Sequence, residues 1–386
     1  MSSGANRQQI ESHYCPGSGV LPPVLAGREA ESAVLDAFRR KLLSGAPIPR
    51  DVIIYGPRGN GKTVLIESFR RVCADQGVPD HRFIDTYASS LSSLDSLLQA
   101  LLPSGAGRGL ARRLKDAKSV QALSVQVALG DPKAPTVAEA LTARVAEGPL
   151  AMAVDEAHML TAEVGRELLN ASQAVRKRGL PFLLLLAGTL DLRARMRAMG
   201  ATFWDQSERM PVGRLSRAAT RRALVEPLAQ FGMAFEEEAL DLALADIVDY
   251  PYFVQLWGES LTSTKTDAPR GAPVTVDDAK RASSVFALKR DDYYRDRYEE
   301  LRHGGLLGVA TAVARRAQRS PSVTREDLAK LVSAELCRVQ GLGSQARHPA
   351  TEEVCERLIE VGYVWWGTGE LEAGIPSLMN YVLKRD

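Results

Sequence analysis

Only four cysteines occur in the 386 residues, Cys15, Cys73, Cys337 and Cys355, with no C-x-x-C pair and no histidine at metal-ligand spacing. This excludes a disulfide-stapled scaffold and a zinc ribbon, and the four read as ordinary residues of a reduced protein. The longest apolar runs, PFLLLLAGTL at 181–190 and GGLLGVATAVA at 304–314, are about half of what a helix needs to cross a bilayer, so no membrane span is expected. The start, MSSGANRQQIESHYCPGSG, has no apolar signal core, which argues against secretion and for a cytoplasmic protein. Charge of one sign is not in excess either: 49 Lys plus Arg face 47 Asp plus Glu, too even a balance for coating nucleic acid by net charge. What is present is ordinary globular composition, 45% apolar and 25% charged, in a length that allows two or three domains.

After a leader expected to be flexible over residues 1–20, Ala33, Val34, Ala37, Phe38 and Leu42 are spaced as one face of a helix. DVIIYG at 51–56 then reads as a strand ending in Gly, and VLIESFRRVCADQG as the helix that follows it. Strand, Gly-rich loop and helix are the first unit of a parallel α/β sheet. Further strands are expected at 81–87, 150–156 and 180–188, with helices near 92–102, 136–147 and 161–178. The stretch 103–135, with GAGRGLARRLKDAK, reads as a basic insertion. From 216 to about 262 the pattern is helical, which suggests a small lid, and a helix near 276–301 follows. Three short helices at 305–318, 324–337 and 350–361, then YVWWGTGELEAGIPSLMNYVL read as a two-stranded ribbon, have the order of a winged helix-turn-helix.

The strongest chemical signal is Gly56-Pro57-Arg58-Gly59-Asn60-Gly61-Lys62-Thr63, a full G-x-x-x-x-G-K-[ST] between an expected strand and an expected helix. Glycines let backbone N–H groups converge on phosphate oxygens at a helix N-terminus that Val64 continues; Lys62 reaches the β- and γ-phosphates and the Thr63 hydroxyl binds Mg²⁺. Such a loop needs a carboxylate at the end of a buried strand to hold the metal. Leu150–Glu156 (LAMAVDE) supplies Asp155 for that role and Glu156 to activate the attacking water. ATP and Mg²⁺ are therefore the expected ligands and hydrolysis the expected reaction. A small-molecule kinase is the rival enzyme; it would need an acceptor pocket and no tandem Asp-Glu.

With these motifs the chain resembles the AAA+ ATPases, and within them the initiator-like branch of origin-recognition and Cdc6-type proteins, over about residues 21–262. Leu25-Ala26-Gly27-Arg28-Glu29 is similar to the GRE box that precedes the P-loop there, and the resemblance implies that Arg28 lies in the nucleotide-binding segment. Asp155-Glu156-Ala157-His158 is similar to a DEAH form of the second nucleotide motif. The resemblance places Thr189 at the first sensor, near the γ-phosphate. It makes Arg209, with Arg214 as the alternate, the arginine that reaches a neighbouring subunit's site. One departure is clear: the lid helix start reads Asp249-Tyr250-Pro251-Tyr252-Phe253, without the arginine of the second sensor. Slow, switch-like turnover follows from that loss. Tyr252 and Phe253 are expected as core packing or as a cover over the base.

The resulting expectation is a P-loop AAA+ parallel-sheet core over 21–215, an all-helical lid over 216–275, a linker helix over 276–304 and a winged helix over 305–386. The winged helix makes DNA a candidate partner. Yet residues 290–386 carry 14 basic against 15 acidic side chains, and the candidate recognition helix, TEEVCERL at 351–358, is acidic. Arg302, Arg315, Arg316, Arg319 and Arg325 form an acid-free run in sequence that could touch a phosphate backbone or an acidic partner. Homo-oligomerisation, or a protein partner bound through the winged helix, remains as the alternative to DNA, in the manner of a signalling or defence-type ATPase scaffold.

Overall fold

Two compact units divide the residues described by the structure, a computed structural model covering 13–101, 135–200, 202–265, 271–319, 323–341, 348–366 and 371–385. Ala30–Tyr55 with Leu65–Met210 form one; the stretch up to Glu29, Gly56–Val64 and the chain from Pro211 onward form the other. The basic insertion expected at 103–135 lies, up to position 134, outside the described residues.

The first unit is built on a sheet. Its elements run α1 (Glu29–Leu43), β1 (Val52–Tyr55), α2 (Lys62–Asp75), β2 (Phe83–Tyr87), α3 (Leu94–Leu101), α4 (Val137–Ala146), β3 (Leu150–Asp155), α5 (Ala162–Lys177), β4 (Phe182–Gly188), α6 (Leu192–Met199) and β5 (Glu208–Pro211). The five strands stand in the order β2-β3-β4-β1-β5, and β2–β3, β3–β4 and β4–β1 pair parallel. Every residue of β3 and β4 is buried, as expected of apolar strands with helices on both faces. β4 lies between β1 and β3, so the carboxyl ends of three strands line up: Tyr55 is opposite Gly188, and Val154 opposite Leu186. In open parallel sheets this end is where ligands bind. At the other end, buried Asp51 ties the start of β1 to α5, accepting from Ser172 Oγ at 2.6 Å and pairing with Arg176 at 3.0 Å.

The second unit is helical. After the loop between β1 and α2 it comprises α7 (Arg217–Ala229), α8 (Glu237–Ile247), α9 (Pro251–Thr264), α10 (Val276–His303), α11 (Leu307–Arg319), α12 (Arg325–Val339), α13 (Thr351–Glu360), an antiparallel ribbon of β6 (Val364–Trp366) and β7 (Leu371–Ala373), and α14 (Leu378–Arg385). Thr275 and Thr324 close reciprocal capping boxes with Asp278 and Asp327, which set where α10 and α12 begin. Proline at the first turn starts α9. The core gathers Trp257, Tyr250, Phe253 and Phe286, all fully buried.

Two expectations change. The end of the chain is not all ribbon: a turn at Pro376-Ser377 gives way to helix α14, whose Leu378, Tyr381 and Val382 are buried at helical spacing. Nor is the leader loose throughout, because Tyr14 is buried in the helical core and its hydroxyl donates to Leu224 O at 2.6 Å. Gly258 makes the room, since a Cβ there would come within 2.2 Å of the Tyr14 ring. Replacing Tyr14 with Ala is expected to lower unfolding stability by about 3 kcal/mol, the cost of emptying a buried aromatic site. Urea denaturation of the two proteins measures it, and equal midpoints would refute the anchoring.

Candidate functional site

In the helical unit, the segment 56–63 has its carbonyl oxygens turned to partners of its own. Lys62 Nζ donates to Gly56 O and Pro57 O, both at 3.0 Å. Tyr250 Oη donates to Arg58 O at 2.7 Å, Tyr252 N to Gly59 O at 3.1 Å, and Arg28 Nη2 to Asn60 O at 3.1 Å. Five consecutive carbonyls are thus satisfied. With that side of the loop used, its amide N–H groups, and those of the first turn of α2, are what it can offer to an anion. Two glycines permit the close packing. A Cβ at Gly56 would stand 2.1 Å from Val212 O, and one at Gly59, whose φ is +75°, would stand 2.2 Å from the Tyr250 hydroxyl. Lys62 is buried beneath the loop, and Thr63, in the first turn of α2, has Gly19 of the leader against its methyl group.

The lid position without an arginine is filled by tyrosines. Tyr250 is fully buried; burial foremost, and the adjacent Tyr293 hydroxyl next, push its ionisation well above the ordinary phenol range, so it stays a donor. Tyr252 stacks on Tyr293 with ring centroids 4.9 Å apart, and Phe253 is core. Neither reading of the sequence foresaw that this turn grips the P-loop backbone. Arg28, also buried, bridges Asn60 O and Gly213 O.

In the sheet unit, Asp155 ends β3 almost wholly buried, and its Oδ1 accepts from Glu156 N at 2.8 Å. That bond accompanies a left-handed turn at Glu156 (φ 52°, ψ 34°), which sends its carboxylate outward with 46% of the side chain exposed. Buried His158 stands 3.3 Å from Glu156 Oε2 through Nε2, and its Nδ1 accepts from Thr189 N at 3.4 Å. The Thr189 hydroxyl donates to Asp191. Asp85, in the middle of β2, was not singled out from the sequence; desolvation foremost, then the charge of Glu67, with a further contribution from Asp155, holds its carboxyl above the usual range. A carboxylate within an apolar strand was the available signal. Asp155, Glu156 and Thr189 therefore meet in one unit, and Arg28, Gly56–Lys62, Thr63 and Val64 in the other.

The two arginines expected to act on a neighbour part company. Arg209 is exposed within strand β5 itself, not ahead of it. Arg214 donates to Ala373 O of β7 at 3.0 Å, which ties it to its own chain.

Residues 24–187 match the family model of the AAA ATPase domain. They are an AAA ATPase domain. Among solved structures, the chain is similar to a Walker-type ATPase of Pyrococcus abyssi, at 15% identity and TM-score 0.61, covering 92% of this chain and 95% of that one. It is also similar to the ORC2 protein of Aeropyrum pernix in its ADPNP–ADP complexes, at 15% identity and TM-score 0.56 over 98% of each chain. At such identities the likeness is one of fold, and it extends beyond the AAA ATPase domain to nearly the whole chain. No curated protein matches. The matched stretch includes Arg28, the loop 56–63, Asp155 and Glu156. Each cluster by itself suits a nucleotide with Mg²⁺: the loop is shaped by glycines where a Cβ would collide and has buried Lys62 to supply positive charge, and Asp155 is a carboxylate of the kind that holds Mg²⁺.

Replacing Tyr250 with Phe removes one hydroxyl and leaves the part-buried Arg58 O without that donor. Such a loss corresponds to about 1–3 kcal/mol, so ATP affinity measured by calorimetry is expected to weaken roughly tenfold. An unchanged dissociation constant would show that the grip does not shape the loop for its ligand.

Proposed function

We propose that the protein is an ATP-hydrolysing molecular switch whose nucleotide state controls its assembly and its recruitment of a macromolecular partner. The observation that carries this reading is the loop 56–63 with every carbonyl from Gly56 to Asn60 engaged and Lys62 buried beneath it. In this reading Lys62 and the loop amides bind the phosphates, and Arg28 keeps the loop in place. Thr63 and Asp155 are the residues that would hold Mg²⁺, which when bound neutralises charge on the phosphate oxygens. Glu156 orients the attacking water and accepts its proton, Thr189 marks the γ-phosphate end, and Arg209 acts on a neighbouring copy. Lys62→Ala is expected to abolish ATP binding in calorimetry. Glu156→Gln is expected to retain binding while phosphate release falls about 100-fold or more; hydrolysis at the normal rate in that variant would remove Glu156 from the role of base.

We read α11–α13 and the β6–β7 ribbon as a winged helix that serves protein contact, not DNA. The exposed positions of α13 are Glu352, Glu353, Glu356 and Glu360, a face that repels phosphate. Four of the five arginines of the run have aromatic or acidic neighbours of their own. Arg302 pairs with Glu299 at 2.5 Å, and Arg325 lies 4.6 Å over the Trp366 ring. Glu335, held below its usual range first by the Arg338 hydrogen bond, also feels Arg315, and Asp327, held down first by its Thr324 cap, also feels Arg316. Light scattering of Glu156→Gln with ATP, with and without duplex DNA, separates the alternatives. Assembly driven by ATP alone is expected; assembly only on DNA, weakening steeply with salt, would reverse the reading.

A further inference from the structure

His158 lies between two groups that the proposed hydrolysis uses. It is 7% exposed, and the only atoms of its ring able to form hydrogen bonds face opposite neighbours. On one side Nδ1 accepts from the backbone N–H of Thr189, just past the end of β4; on the other Nε2 faces Glu156 Oε2 at 3.3 Å. An Nδ1 that accepts carries no hydrogen, so in the neutral ring the proton is on Nε2, the atom that faces the carboxylate. The ring also has little room to turn. A Cβ at Gly188 would come 3.3 Å from both His158 N and Nδ1, so the absent side chain is what lets β4 approach the imidazole this closely.

Glu156 needs such a partner. Its backbone sits in the left-handed region and its carboxylate is nearly half exposed, so packing alone does not hold the head group in one orientation. We propose that His158 is a positioning residue for Glu156: anchored on Thr189 through Nδ1, it donates Nε2–H to Oε2 and aims the remaining carboxylate oxygen at the attacking water. The same bridge links the carboxyl end of β3 to that of β4. This inference rests on Glu156 as the base of the proposed ATPase reaction.

Two substitutions separate this bond from mere packing. In His158→Gln the side-chain amide can place an N–H where Nε2 stood. In His158→Asn the shorter side chain can place an oxygen near the Nδ1 position for Thr189 but cannot reach Glu156. The expected result is that kcat for ATP falls about tenfold or more in the Asn protein and largely recovers in the Gln protein, while ATP affinity stays within about twofold in both. Loss of kcat to the same degree in both variants, a fall in affinity that parallels the fall in kcat, or an Asn protein with normal kcat would each overturn the proposal. A readout independent of turnover comes from ¹⁵N-histidine spectra of the nucleotide-free protein, with the His158 signal identified by its loss in the Asn variant. An Nε2–H tautomer is expected, and an Nδ1–H tautomer would overturn the bridge. If Glu156→Gln itself hydrolyses ATP normally, the reading of the base fails; if it is inactive while His158→Asn is fully active, the fault lies with His158 alone.

Discussion

A peptide loop can offer its N–H groups to a polyanion only if its carbonyl oxygens are turned away and satisfied elsewhere, because an unpaired buried carbonyl is costly. The segment Gly56–Asn60 meets that condition through four side chains or backbone groups drawn from three parts of the chain: Lys62 at the foot of the loop, Arg28 ahead of it, and Tyr250 and Tyr252 nearly two hundred residues downstream. This is why Gly56–Val64 belongs, by its contacts, with the helical unit although it follows directly on a sheet strand.

The same grip extends into the C-terminal elements. On α10, two consecutive tyrosines serve different neighbours. Tyr293 stacks on Tyr252 and meets the Tyr250 hydroxyl at 3.2 Å; Tyr294 donates to Pro376 O at 2.7 Å and packs on Tyr381 of α14. A second path runs through the segment after β5. Val212 O lies against Gly56, Gly213 takes the Arg28 bond and lies under the Trp365 ring, and Arg214 donates to β7. The P-loop thus reaches α14 through a shared helix and the terminal ribbon through the backbone segment after β5.

What was legible in the sequence was whatever a local pattern encodes. The P-loop, the apolar runs of β3 and β4 ending in Asp155 and Gly188, and the Thr-x-x-Asp starts of α10 and α12 each declare themselves within a few residues. What escaped depends on proximity in space. Tyr252 looked like core or base cover, and Tyr250 carried no reading at all, because nothing near them in sequence reveals partners at Gly59 and Arg58. His158 was visible as part of a motif, but its contact with Thr189 exists only because β4 runs between β1 and β3. The arginines of 302–325 looked like a patch, yet Arg302 pairs with Glu299 one helical turn earlier, and folding brings Glu335, Asp327 and Trp366 beside Arg315, Arg316 and Arg325. α14 was hidden by the glycine-rich ribbon before it, and the tie on Arg214 by its distance in sequence from Ala373.

The two glycines that shape the P-loop differ in a way that bears on how this chain can diverge. At Gly59 the nearest obstacle is a hydroxyl, part of a side chain, so a lineage that shortened residue 250 would ease the crowding there, leaving the positive φ and the Tyr252 Cβ at 3.0 Å to favour glycine. At Gly56 the obstacle is the backbone oxygen of Val212, which every amino acid carries. No second substitution at 212 can compensate. The first glycine is therefore fixed by the path of the main chain, whereas the second is bound to the tyrosine by mutual accommodation, and positions 59 and 250 should drift as a pair.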